Sequence, residues 1–392
     1  MWQDKGYHIL FTGNQNIKAL VENEGFEFCE FKYGIEYNIK SFKAFLGLSL
    51  KTLFDRHFTI KRYRDFYVSF LEAKNILKKY ELGEIFIDEH LSEYSLFFKN
   101  YDISVSILNT KLSTKKTKGV PPLNSNYIAK GKFMSNIFCE ILWIKEFINL
   151  KGQELLQKVA FCGKDEIYFW KRLGIKNGWD YNGFINNNHC FYRTINNIET
   201  IILAPQALEF KHRKMQKRES FFHVPTKKNE SKYKTDTYEK LLSEIFERKK
   251  NSTLKIVYVT FGTLSGMESN AISNFFMRLC NALTDEKDIL LVFSKGEVEI
   301  NLIETNNIKV FSYVPQIDFL QYVDLVITHG GLGTIKECYD ANVPLYILPF
   351  HKKTDLNGNS ARIAANLLGI AGSLKKDSEQ LIRKKVLKLL KC

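Results

Sequence analysis

Short apolar runs alternate along the chain with stretches of helical period. Runs rich in β-branched and aromatic residues at Tyr7–Thr12, Phe26–Phe31, Glu84–Asp88, Ile103–Leu108 and Ile201–Ala204 read as strands. So do Leu254–Phe261, Ile289–Phe293, Ile308–Phe311, Leu325–Thr328 and Val343–Leu348. Helical patterns fall between or after them, at Ile17–Gly25, Lys40–Tyr80, Phe133–Leu150, Gly152–Ala160, Thr237–Lys249, Asn270–Leu283, Ile335–Asn342, Asn359–Leu368 and Ser378–Leu390. Strands that alternate with helices predict parallel sheets joined by crossover helices, an α/β fold. The pattern lapses at the basic run Lys211–Arg218 and the Lys-rich polar stretch Val224–Thr235. These breaks divide the chain into an N-terminal domain over 1–222, a linker over 223–236 and a C-terminal domain over 237–392.

Bulk composition narrows the partners. A chain of 392 residues with 45% hydrophobic content is long enough for two domains, each with its own core. The net charge of +14 fits nucleic acid, an anionic membrane face or an anionic small substrate, and it also fits biased codon usage. No nucleic-acid motif is present, so nucleic acid is not an expected partner. The seven cysteines are scattered and form no C-x-x-C pair, which points to reduced thiols in the cytoplasm and to no zinc site. The longest apolar candidate, Asn136–Leu150, is interrupted by Glu140, Lys145 and Glu146, so no transmembrane helix is expected.

The chemistry gathers at two polar clusters after apolar runs. His329-Gly330-Gly331-Leu332-Gly333-Thr334 follows Leu325–Thr328 and opens a helical pattern with Glu337 in its first turn. Glycines let backbone approach a ligand, and a helix N-terminus offers unpaired N–H groups and a positive dipole end to a phosphate. Glu337 suits ribose hydroxyls, and Asp355 and Asn359 in the following loop suit sugar hydroxyls. Phosphate, ribose and sugar at one sheet edge describe a nucleotide-sugar.

Tyr313-x-Pro-Gln, His329-Gly-Gly-x-Gly-Thr-x-x-Glu337, Val343-Pro344, Pro349 and Asp355-x-x-x-Asn359, in that order, resemble the donor signature of family 1 glycosyltransferases. The likeness is to the bacterial macrolide- and carotenoid-glycosylating branch related to the UDP-glucuronosyltransferases. It implies two Rossmann-like domains facing across a cleft, the GT-B arrangement, with UDP-sugar as co-substrate and no further cofactor or metal. By the same resemblance Tyr313 stacks on uracil, Gln316 contacts the nucleoside, and His329 with the Gly331, Gly333 and Thr334 backbone holds the pyrophosphate. Glu337 holds the ribose, Asp355 and Asn359 face the sugar, and Thr263 adds a hydroxyl from the Phe261-Gly262-Thr263 loop. The chain departs from the family in carrying Leu356 where Gln follows the acidic residue, and the loop from His351 to Thr354 is longer.

Lys5-Gly6-Tyr7-His8-Ile9 resembles the family's second strand, so the likeness enters the first domain after the loop that holds the family's catalytic His. Both ends thus read as clipped relative to the family. Asp88 and His90, at the end of the Glu84–Asp88 strand, are the candidates for the acceptor side, against a plain solvated loop. Lys40–Tyr80 interleaves basic and aromatic residues. It reads either as a helix packed on a core or as a peripheral contact with the inner membrane face. The expected reaction is inverting, metal-independent transfer of a sugar to a hydroxyl of a small hydrophobic acceptor. Alternatives are another GT-B enzyme (a lipid-linked sugar transferase or a UDP-sugar epimerase) and a non-catalytic nucleotide- or lipid-binding relative.

Overall fold

A computed structural model describes residues 6–32, 42–225, 235–262, 268–296, 298, 302–351 and 354–391. They divide into two compact units. The first comprises Met1–Leu108, Phe147–Asn187 and Tyr192–Glu199, and the second Asn109–Glu146, Asn188–Phe191 and Thr200–Cys392. Most of the expected linker, 226–234, lies outside the described residues.

The first unit opens with β1 (Leu10–Gly13), α1 (Lys18–Asn23) and β2 (Glu27–Glu30), and β1 and β2 pair in parallel. Gly25, at φ +81°, turns the chain between α1 and β2, a conformation that favours glycine. Helices α2 (Phe42–Phe54) and α3 (Arg56–Lys79) follow. Sequence periodicity ran on from Lys40 to Tyr80, but the helix breaks at Asp55, whose carboxylate accepts the Phe58 N–H at 3.0 Å and caps α3. Helix α3 buries Phe58, Phe66, Phe70 and Ala73, and α2 leaves Leu50, Leu53 and Phe54 exposed. Strands β3 (Glu84–Asp88) and β4 (Ser104–Asn109) pair in parallel. The core is aromatic: Phe66, Phe97 and Tyr94 pack edge-on or tilted against Trp170 of α5 (Glu166–Asn177). Gly178 at φ +77° ends α5.

Helix α4 (Phe133–Ala160) is one continuous helix where two were expected, with Gly152 inside it. A lone interior glycine costs a helix only about 1 kcal/mol and does not break it.

In the second unit, β5 (Lys255–Thr260), β6 (Ile289–Ser294), β7 (Ile308–Phe311), β8 (Leu325–Thr328), β9 (Leu345–Ile347) and β10 (Gly369–Ala371) form one sheet. Its spatial order is β7-β6-β5-β8-β9-β10, every pair parallel. That is the doubly wound order, with the first and fourth strands side by side at the centre. Successive β5 residues alternate between two cores: Ile256 and Tyr258 join one, Val257 and Val259 the other. Both faces are therefore covered, which is why these strands read as unbroken apolar runs. The crossovers include α6 (Ser269–Ala282), α7 (Leu332–Asp340) and α8 (Leu356–Ala365). The basic run after Lys211 is folded in its middle: Arg213 forms a buried ion pair with Glu219, and Glu219–Phe221 pairs in parallel with Glu199–Ile202.

Candidate functional site

Strands β5 and β8 run in register, Thr260 opposite Thr328, so their carboxyl ends lie side by side where the strand order reverses. At such a reversal the crossovers leave toward opposite faces of the sheet and open a crevice above it. Phe261-Gly262 leaves β5 there and His329-Gly330-Gly331 leaves β8. Gly330 holds φ +95°, and a Cβ on it would lie 2.6 Å from Ile347 Cγ2. A Cβ on Gly331 would lie 2.9 Å from His329 Nε2. Gly330 is thus required by its φ and by space, Gly331 sits close against the tip of the His329 ring, and the two lead straight into α7. The helix begins at Leu332, three residues before the expected Ile335, and Glu337 sits in its second turn, where the first was expected. Gly331 at the N-cap supplies no side-chain cap, so the helix itself leaves the N–H groups of Leu332, Gly333 and Thr334 for other partners. Space around Gly333 is open.

The His329 ring lies roughly parallel to Phe261 (6.5 Å, 28°) and to Phe350 (5.4 Å, 29°). Burial lowers its pKa to about 4, so the imidazole is neutral at pH 7 and offers one N–H. Nδ1 is 3.4 Å from Thr328 Oγ1. Gln316 Nε2 donates to a Glu337 carboxylate oxygen and, at 3.3 Å, to Thr334 Oγ1. Burial raises the Glu337 pKa, partly opposed by that Gln316 N–H. Tyr313 leaves 59% of its surface exposed.

Asp355 precedes α8 and Asn359 sits in its first turn, completely buried. Asn359 Nδ2 donates to Gly330 O and to Asp355 Oδ2, both at 3.0 Å, which ties α8 to the glycine turn. Asn359 Oδ1 is buried and accepts no hydrogen bond among the described residues. Buried polar atoms are rarely left so, and a ligand hydroxyl would complete this one. Leu356 is buried.

Sequence reasoning missed what fixes α8. Arg362, 0% exposed, ion-pairs through Nε with Glu209, whose side chain is 3% exposed, across 153 positions of sequence. Arg362 also donates to Gly358 O at 3.2 Å and lies 4.9 Å from the Phe210 ring centroid. The second Glu209 oxygen accepts the Ser113 N–H at 3.3 Å. The one available signal was a charged residue three positions after Asn359, on a helix otherwise without charge.

Gln316, His329, Gly331, Gly333, Thr334, Glu337, Asp355 and Asn359 are thus drawn together by direct contacts or by sharing the first turns of α7 and α8. Thr263 lies outside the described residues. Asp88 and His90 belong to the first unit: Asp88 Oδ1 accepts the His90 N–H at 2.9 Å, and the His90 ring lies 4.3 Å from that of Tyr192.

Residues 272–391 match the glycosyltransferase family 28 C-terminal domain. A segment of 100 residues is 25% identical to a UDP-glucosyltransferase of Bacillus subtilis, covering 25% of this chain and 24% of that protein. A segment of 86 residues is 34% identical to mouse UDP-glucuronosyltransferase 3A1, covering 21% of this chain and 16% of that protein. These matches span a quarter or less of the curated relatives' own length. Among solved structures, the glycotransferase of kitacinnamycin superposes with a TM-score of 0.66 at 13% identity, over 100% of this chain and 85% of that one. At that identity the likeness establishes the GT-B fold.

Proposed function

We propose that this chain, which belongs to the glycosyltransferases of GT-B fold, moves a hexose from a UDP-sugar to a hydroxyl of a small hydrophobic acceptor, with inversion and without a metal. The observation that carries the reading is the uncapped N-terminus of α7, set between neutral His329, the Gln316–Glu337 pair and the unpartnered Asn359 oxygen. In this reading the pyrophosphate lies at the first-turn N–H groups, where the helix dipole and the His329 N–H stabilise the charge that develops on the leaving UDP. Glu337 accepts hydrogen bonds from the ribose hydroxyls, held in place by Gln316. Asp355 and Asn359 take the sugar, and Tyr313 offers an exposed ring to the base. Attack by a deprotonated acceptor hydroxyl in line with the departing UDP inverts the anomeric carbon. On the acceptor side Asp88 and His90 remain the candidates, and the reaction is placed in the cytoplasm.

Calorimetric titration of UDP into the chain, beside Glu337→Ala, tests the donor site. Losing a hydrogen bond to a charged group costs about 1.5–3 kcal/mol, so the variant should bind roughly ten- to a hundredfold more weakly. A folded chain that binds no UDP, or a variant that binds it equally well, overturns this reading. Product analysis with His90→Ala then tests the acceptor side: unchanged transfer removes His90 from the mechanism.

A further inference from the structure

The first unit turns a corner at Asp55, where α2 ends and α3 begins. Packing separates two sides of α2. Phe45, Leu48, Ser49 and Thr52 share one side, where Thr52 is buried and the other three are half-buried. Leu46, Leu50, Leu53 and Phe54 form the opposite stripe, spaced i, i+4, i+7 and i+8. Their exposure rises toward the corner, from 43% at Leu46 to 83% at Phe54. Just past it, Phe58 is buried while Ile60 is 51% exposed. The corner is firmly mounted: the Arg62 guanidinium lies 3.7 Å from the Phe161 ring centroid and donates to Lys164 O at 3.0 Å. Exposed apolar side chains gathered in this way mark an interaction site. The charges around them are one-sided. From Phe42 to Arg64 the only acidic residue is Asp55, whose carboxylate accepts the Phe58 N–H. Lys51, Arg56 and Lys61 are exposed and make no hydrogen bond or ion pair among the described residues. Water therefore meets an apolar corner bordered by unneutralised positive charge.

We propose that the α2–α3 corner docks on an anionic lipid bilayer, with Leu50, Leu53, Phe54 and Ile60 among the acyl chains and Lys51, Arg56 and Lys61 at the headgroup phosphates. An apolar face bordered by lysine and arginine is the composition of an interfacial helix. The corner does not span: among the described residues no helix is long and apolar enough to cross a membrane. A second copy of the chain is a poorer occupant, because a symmetric pairing sets two like-charged faces together in a chain of net charge +14. Single-stranded nucleic acid is poorer too, since bases stack on flat rings and Phe54 is the one aromatic residue among these five exposed side chains. The two readings of Lys40–Tyr80 thus divide along the chain: the corner is the docking surface, and the rest of α3 packs Phe66, Phe70 and Ala73 into a core. Docking requires nothing of the proposed transfer chemistry, so either can fail alone.

Flotation of the full chain with vesicles of phosphatidylcholine alone, and of phosphatidylcholine mixed equally with phosphatidylglycerol, tests the proposal. The chain should rise with the anionic vesicles, stay behind with the neutral ones, and be released by high salt. Leu53→Glu/Phe54→Glu should lower partitioning at least about tenfold with an unchanged melting temperature, since both positions are exposed. Arg56→Glu/Lys61→Glu, which leaves the apolar stripe intact, should lower it at least about tenfold through the loss of attraction to the headgroups. Equal partitioning of the parent and the Leu53/Phe54 variant overturns the proposal, as does no partitioning of the folded parent. A concentration-dependent dimer in ultracentrifugation, abolished by Leu53→Glu/Phe54→Glu, also overturns it and assigns the corner to a second copy.

Discussion

Replacing Arg362 by Met tests how α8 is held. The guanidinium is wholly buried and satisfies Glu209, Gly358 O and the face of Phe210. Met fills much of the volume and removes the charge, leaving the Glu209 carboxylate buried with backbone N–H donors alone. Removing one partner of a buried ion pair costs about 3–5 kcal/mol, mostly as the desolvation of the charge left behind. For a unit of this size about 2–4 °C of melting temperature is lost per kcal/mol, so a fall of roughly 6–20 °C is expected by calorimetry. Because α8 also carries Asn359, UDP binding should weaken in the same variant. The double variant Arg362→Met/Glu209→Leu removes both charges and should recover most of the lost stability. A shift of less than about 2 °C in the single variant, or a double variant no better than the single, would refute the reasoning that an unpaired buried carboxylate carries the cost.

Two further outcomes follow from the same site. A Cβ on Gly358 would lie 1.9 Å from the Leu123 carbonyl oxygen, which is backbone and cannot swing aside. Helix propensity alone predicts that Gly358→Ala stabilises by about 1 kcal/mol. Overpacking predicts a net loss of about 1–2 kcal/mol in urea denaturation, and the sign decides between them. His329 sets a pH dependence. Its folded pKa, about 4, lies below the ordinary 6.5, so between these values the unfolded chain binds the proton that the folded chain excludes. Stability therefore rises with pH across that window and is lost as pH falls through it, by roughly 2 kcal/mol between pH 7 and pH 5. His189, with its pKa lowered to about 3 by burial, adds loss of the same sign. The difference between the parent and His329→Asn isolates the His329 share, and equal slopes in the two chains would exclude it.

The sequence by itself determined five of the six strands of the second unit's sheet and strand β3 of the first unit; it missed the short edge strand β10 (Gly369–Ala371) and set α8 three residues late. Leu325–Thr328, Ile308–Phe311 and Glu84–Asp88 were legible to the residue, because parallel strands covered on one or both faces leave dense apolar runs. Gly330 was legible because its left-handed φ and close surroundings favour glycine. Local pattern misjudged termini that depend on single side chains or on their absence: the break at Asp55, and the start of α7 at an uncapped glycine. It also left open which side of α2 meets water, since apolar residues occur all around that helix and only packing distinguishes the faces. Tertiary structure alone decided that β5 lies beside β8, which brings two loops distant in sequence to one crevice. It alone paired Arg362 with Glu209 across 153 positions. Strand order and buried ion pairs are long-range choices set by chain crossover and desolvation, and neither leaves a periodic trace in the residues that take part.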